Sequence, residues 1–270
     1  AAKKKPEGWG AMAYPQLMLG MIAIFIYVGV EVTIDNNFGA LLKKQAFGGY
    51  DDAHISHLIS LYWGSMMIGR WTGAISVFNL SKTMKKVLVV VVPYFAFGII
   101  LLVNIIKGND VKDFMVYPVS IGIAVIAFLY AEEKPMKLLL TVTVLGTIAM
   151  GISLVTTGMF ANYAIISAGL CCGVMWPCIF ALAVNGIGKY TSQGAAFLIM
   201  MILGGAIIPP TQGSIIDLDI ASDPSVHKFT QLSYIVPMAC FAYLAWHAIQ
   251  TRSVLKKQGL DVDEQISSGH

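Results

Sequence analysis

The chain has 270 residues, of which 57% are hydrophobic and only 12% charged, with a formal net charge of +3. A soluble domain is nearer a quarter charged, so the composition excludes a soluble globular protein and a basic nucleic-acid binder. It describes an integral membrane protein. The four cysteines, Cys171, Cys172, Cys178 and Cys240, all fall in apolar runs, where they read as small packing residues and not as a disulfide set or a metal site. No cleavable signal pattern is present, and the opening Ala1-Ala2-Lys3-Lys4-Lys5 without a methionine reads as an internal loop of a longer protein.

Crossing the hydrocarbon layer takes roughly 20 mostly apolar residues. Eight stretches qualify, at about 15–42, 56–79, 86–106, 114–131, 137–158, 161–185, 194–217 and 232–250. Charges and turn formers collect between them. Backbone groups in lipid must be satisfied within each span, so the expected fold is an all-α integral membrane bundle of about eight transmembrane helices. With the N-terminus inside, twelve lysines and arginines fall in inner segments and five in outer loops. That bias predicts both termini in the cytoplasm. Residues 1–14 are then a cytoplasmic loop and 251–270 a cytoplasmic tail without a fold of its own.

The first span carries the strongest signal, Tyr27-Val-Gly-Val-Glu31-Val-Thr-Ile-Asp35-Asn36-Asn37. Ionisable groups at membrane depth are costly and face a bundle interior or a water-filled path. Glu31 lies about 24 Å along the helix from Pro15 at 1.5 Å per residue, and Asp35 follows one turn later on the same face. Two carboxylates so close in a low dielectric disfavour joint ionisation, which lets one of them stay protonated near neutral pH. Asn36 and Asn37 add fixed donors and acceptors of the kind that sugar hydroxyls require.

The second span holds Trp63 and, deeper, Gly69-Arg70-Trp-Thr-Gly73. The glycine spacing admits a close neighbouring helix, and Arg70, in the inner half, has three readings: it snorkels to the cytoplasmic headgroups, pairs with a carboxylate or helix C-terminus at the inner mouth, or lines the path. Trp63 offers a ring to stack on a sugar face. The third to fifth spans are Val-, Ile- and Leu-rich, and Asn104 and Asn162 sit near outer ends where water can reach them. In the sixth, Trp176 stands beside Pro177, which allows a bend. In the seventh, Gly204-Gly205 and Pro209 predict a kinked, closely packed helix. His54, His57, His227 and His247 are placed at helix ends, and no His cluster, metal spacing or nucleophile–base set points to an enzyme.

Five segments together carry a resemblance. They are Tyr27-Val-Gly-Val-Glu31-Val, Tyr62-Trp63-Gly-Ser-Met-Met-Ile-Gly69-Arg70-Trp-Thr-Gly73, Met175-Trp176-Pro177-Cys-Ile-Phe180-Ala-Leu-Ala, Thr191-Ser192-Gln193-Gly194 and Ile202-Leu-Gly204-Gly205-Ala-Ile-Ile-Pro209. Their order resembles the second half of a major facilitator superfamily sugar transporter of the bacterial fucose permease and glucose/galactose transporter family. The resemblance implies twelve helices in two halves, and a monosaccharide bound between the halves near the midplane of the inner membrane. It implies uptake of L-fucose or of glucose and galactose by symport, with H⁺ or Na⁺ as the coupling ion and no other cofactor. The missing N-terminal half would be the partner.

By this reading Tyr27, Glu31, Asn36, Asn37, Trp63 and Trp176 contact the sugar. Arg70, Asp35, Gly69, Gly73, Pro177, Gly204, Gly205 and Pro209 serve gating and packing. Two spans are surplus to a six-helix half, and the expected extra pair is about 107–158. A facilitator or exchanger of another small polar solute, and a non-transporting binding subunit, are the alternatives.

Overall fold

A computed structural model of the chain describes residues 10–132, 134–220 and 223–260, so Lys3, Lys4, Lys5 and the end of the tail lie outside the described residues. The long helices are α1 (Pro15–Leu42), α2 (Asp52–Ala74), α3 (Lys82–Ile106), α4 (Pro118–Ala131), α5 (Pro135–Val155) and α6 (Gly158–Val184). They are followed by α7 (Thr191–Met200), α8 (Gly204–Ile216), the short α9 (Lys228–Leu232) and α10 (Ile235–Lys257). No strand occurs among the described residues.

The starts follow local chemistry. Proline opens α1, α4 and α5, where its missing N–H costs nothing. Asp51 caps α2 by accepting from the His54 amide at 2.9 Å, and Ser81 caps α3. The seventh span is interrupted: a 3₁₀ turn, Met201–Leu203, separates α7 from α8 immediately before Gly204. α6 runs through Pro177 without a break in the helix.

Among the described residues, seven helical spans are long and apolar enough to cross a membrane. The expected eighth, α2, is 23 residues long but is not among the seven; its Arg70 and its hydroxyl-bearing residues lower its apolarity. α10 continues to Lys257, so the segment from Arg252 onward is not a structureless tail as expected: it begins as the last turns of this helix.

Packing separates a core from an appendage. α1 packs along α8, α6 and α10, α2 packs along α6, and α5 packs along both α6 and α10. Exchanging α1 with α6, α2 with α8 and α5 with α10 maps these strong pairs onto one another. That is the pattern of two three-helix repeats of opposite direction. α3 has no place in it, since it lies on α2 and more lightly on α4, and α4 touches its neighbours only lightly.

Glycines also bring α2 close to α6. A side-chain carbon on Gly173 would stand 2.5 Å from the Met66 carbonyl oxygen and 2.9 Å from both the Arg70 nitrogen and the Gly69 Cα. On Gly69 it would meet the Leu170 carbonyl oxygen at 2.6 Å. Backbone thus lies on backbone at the level of Arg70, as small residues permit in membrane helices.

Candidate functional site

Side chains on a helix slope toward its N-terminus. α1 and α2 run in opposite directions, so Glu31 leans one way and Arg70 the other, and the two meet. Arg70 Nη2 donates to Glu31 Oε1 at 3.0 Å. The Glu31 side chain is only 11% exposed, and Arg70 retains 52%. The arginine therefore does not stand alone at the inner mouth; it reaches back along the wall to the buried carboxylate.

Around this pair stand the aromatics. The Tyr27 hydroxyl interacts with both Glu31 and Arg70, and its ring lies 6.1 Å from that of Trp176. Tyr62, fully buried, donates to the Glu31 carbonyl oxygen at 3.0 Å. Cys172 faces Glu31 and Tyr62 from α6. One turn outward, Asp35 Oδ1 accepts from Trp63 Nε1 at 2.7 Å, and the Trp63 ring is 44% exposed. Glu31, Asp35, Tyr27, Trp63, Arg70 and Trp176 thus form one polar, aromatic wall on α1, α2 and α6.

Asn37 is not on that wall. It lies one turn beyond Thr33, on the opposite side of α1 from Glu31, where it meets α8. Its Nδ2 donates to the Thr33 carbonyl oxygen at 3.0 Å and to Gln212 Oε1 at 3.3 Å. Thr33 Oγ1 donates to the same Gln212 oxygen at 2.9 Å, and Gln212 Nε2 donates to Ser233 Oγ at 3.1 Å. Thr33, Gln212 and Ser233 are fully buried, so this chain of hydrogen bonds ties α1, α8 and the segment before α10 together. Asn36 is exposed. Gly204 abuts the Phe25 backbone, and Gly205 packs against Val28 and Val32, which seats α8 on α1 below Pro209.

Two asparagines expected in water are buried instead. Asn104 donates to the Ile100 carbonyl oxygen and Asn162 to that of Phe47, both at 2.9 Å. His247, expected at a helix end, lies inside α10 and is fully buried. Sequence reasoning did not single out Thr33 and Gln212. The available signal was an amide in an apolar span, which must find a partner in lipid.

No protein-family model matches the sequence. The structure is similar to the crystal structure of a major facilitator superfamily transporter in the outward conformation, with a TM-score of 0.57 at 17% identity, covering 88% of this chain and 42% of that one. The fold is that of one half of a major facilitator superfamily transporter. The crystal structure of the Escherichia coli fucose:proton symporter matches with a TM-score of 0.58, over 89% of this chain and 43% of its own. The glucose/galactose transporter of Brucella abortus is 28% identical over 249 residues, 92% of this chain and 45% of that protein. The L-fucose-proton symporter of Haemophilus influenzae is 34% identical over 100 residues, 37% of this chain and 22% of the symporter. The chain therefore spans about half the length of the longer matches. In a half of this fold the repeats related above are nested inverted triplets, and the wall draws on α1 and α6, the first helices of the two triplets, with Trp63 and Arg70 supplied by α2.

Proposed function

We propose that the chain is the C-terminal half of a bacterial inner-membrane sugar transporter that works by alternating access, with both of its ends on the cytoplasmic side. The observation that carries this reading is the wall itself. A buried carboxylate paired with a half-exposed guanidinium presents acceptors and donors, and Tyr27, Trp63 and Trp176 flank it with ring faces. Sugars are bound by that combination, in which hydroxyls pair with charged groups and apolar ring faces stack on aromatics. The names of the relatives point to the same substrates, L-fucose or glucose and galactose. An N-terminal half would close the site from the opposite side, and the glycine-lined crossings let the two halves tilt as rigid bodies.

In this reading Glu31 and Arg70 contact sugar hydroxyls, and Trp63 stacks at the outer edge. Asn37 serves the packing of α1 on α8. The helices added to the six-helix half are α3 and α4, because α5 occupies the place between α6 and α10 that the repeat requires. The test is uptake of labelled galactose, glucose and fucose by proteoliposomes holding the complete protein that carries this chain, competed with sugars and with organic acids. Uptake competed by monosaccharides is the expected result. Uptake competed only by acids, or no uptake of any of the three sugars, rejects the reading. Vesicles holding this half alone are expected to accumulate none, because the sugar lacks its second wall.

A further inference from the structure

α4 is held firmly at one end and loosely along its length. At its start Tyr117 is fully buried, with its ring 6.0 Å from that of Phe97, and the Tyr163 hydroxyl of α6 donates to the Asp113 carbonyl oxygen at 2.6 Å. Beyond that anchor a crevice of about 260 Å³ opens between α4, α5 and α6. Ile123 and Ala124 line it from α4, Ile148 and Ala149 from α5, and Ala164 and Leu170 from α6. Protein interiors are normally packed without such gaps, and an apolar cavity does not hold water. All three helices belong to membrane-crossing spans, and Ile123, Ile148 and Phe160 on the rim of the crevice are exposed. The crevice is therefore continuous with the apolar face that α4 and α5 turn to the hydrocarbon layer.

Polar groups are few in it. The Tyr163 hydroxyl is spent on Asp113, and the Ser167 hydroxyl donates to the Tyr163 carbonyl oxygen at 2.6 Å. Ser120 also lines the crevice, and its hydroxyl makes no hydrogen bond among the described residues. Ser120 lies in the first turn of α4, so this uncommitted donor stands near the end of the span, where hydrocarbon gives way to headgroups. A phospholipid has its parts in that order, a long apolar chain and then an ester carbonyl that accepts a hydrogen bond. A sugar needs many donors and acceptors and finds few here. We propose that the crevice is a phospholipid site, in which one acyl chain lies between α4 and the α5–α6 face and its ester carbonyl accepts from Ser120. The lipid supplies the packing that α4 does not find in the protein. The proposal needs only that the spans cross a membrane, so it stands apart from the sugar-transport reading.

The experiment uses the complete protein that carries this chain, in vesicles of phosphatidylethanolamine and phosphatidylglycerol that also hold a phosphatidylcholine with a diazirine on one acyl chain. Illumination attaches the chain where it lies, and peptide mass spectrometry maps the adducts. A chain packed on three sides gains dispersion contacts that a chain on a flat face lacks, and about ten of them suffice for about a fivefold preference. Adducts at Ile123, Ile148 and their neighbours in the crevice should exceed by that factor those at Phe95 of α3, an exposed side chain outside it. Ala164→Phe fills the crevice and should bring its adducts down to the Phe95 level. Even labelling, or crevice labelling unmoved by Ala164→Phe, overturns the proposal. If Ala164→Phe does not fold, Ala149→Leu fills the space less severely and is read in the same way. Native mass spectrometry of the detergent-purified protein names the occupant. A retained phospholipid is expected, with retention reduced about threefold in Ser120→Ala, which keeps the cavity and removes the hydrogen bond. A free fatty acid in its place, no retained phospholipid, or retention unmoved by Ser120→Ala overturns the proposal. So does a dimer that Ala164→Phe turns into monomer, which would mean that a second copy covers this face. Labelling as expected in a protein that moves no sugar keeps the lipid site and rejects the transport reading alone.

Discussion

α1 is polar on two sides, and the two sides have been put to opposite uses. Toward α2 and α6 it presents Glu31 and Asp35 with Arg70 and an exposed Trp63. Toward α8 and α10 it presents Thr33 and Asn37, tied to Gln212 and Ser233 in a neutral, buried network. Both groups are expensive in lipid. The network answers the cost completely, each donor finding an acceptor, and so fixes one arrangement of helices. The wall answers it only in part, leaving an arginine half exposed and an aspartate without a cation, which is what a surface awaiting a ligand looks like. Polarity at membrane depth is thus not one signal but two, and the presence of charge with incomplete pairing separates them.

The largest expected effect breaks the wall. Glu31→Gln in the complete protein removes the charged acceptor and leaves Arg70 without its partner, so sugar affinity should fall at least about tenfold, equivalent to about 1.4 kcal/mol. Binding calorimetry or a competition assay reads this directly. Unchanged affinity would remove Glu31 from the site and turn the wall into a second structural network.

The same comparison predicts the reverse on the other side. Gln212→Leu takes the acceptor from the Thr33 hydroxyl and one partner each from the Asn37 amide and the Ser233 hydroxyl in a dry interior. Leaving buried polar groups unsatisfied costs about 1–3 kcal/mol, so thermal stability in detergent should drop, with sugar affinity held within about twofold. A variant that instead loses affinity at unchanged melting temperature would place the network in the site. Asn37→Ala should show the same pattern more weakly, about 1 kcal/mol, because Thr33 and Gln212 remain bonded to each other. A loss of affinity there would restore Asn37 to the sugar contacts.

Much of the fold was legible because membrane spans announce themselves by length and apolarity. The spacing of Gly69 and Gly73 likewise announced a close crossing, with Arg70 beside it. What was not legible follows from the helix period. Asp35 and Asn37 are neighbours in sequence and were grouped together, yet two residues on a helix point about 200° apart at 3.6 residues per turn. Nor does composition tell which pair of helices has been added to a six-helix half. α3 and α5 cross in the same direction and are equally rich in Val, Ile and Leu, and only the packing of α5 between α6 and α10 tells them apart. Three readings of Arg70 stayed open in the sequence because depth counted at the backbone does not say where a long side chain ends; an arginine reaches the better part of a helical turn and a half from its Cα, and here it spends that reach on Glu31.

The smallest effect lies at the outer end of the network, where α9 is held by Asp219. Its carboxylate accepts from the Thr230 amide at 2.6 Å, the Thr230 hydroxyl at 2.7 Å and the Phe229 amide at 3.1 Å. Burial on its own would raise the pKa of Asp219. The Thr230 and Phe229 hydrogen bonds, with Lys44 nearby, outweigh burial and hold it below the ordinary value of 3.8. A group whose folded pKa is depressed adds stability that is fully present above its unfolded pKa and is lost as pH falls through the folded one. The outer clasp should therefore be intact at neutral pH and loosen only below about pH 4. Asp219→Asn keeps the shape and one acceptor oxygen but removes the titration. Its melting temperature should be lower than that of the unaltered protein at neutral pH, and the gap should narrow as pH falls through that acid window. Because Asp219 serves the buried network and not the wall, sugar affinity at neutral pH should not follow. Melting curves that stay parallel across the window would mean that the clasp does not bear on stability, and that the network ends at Ser233.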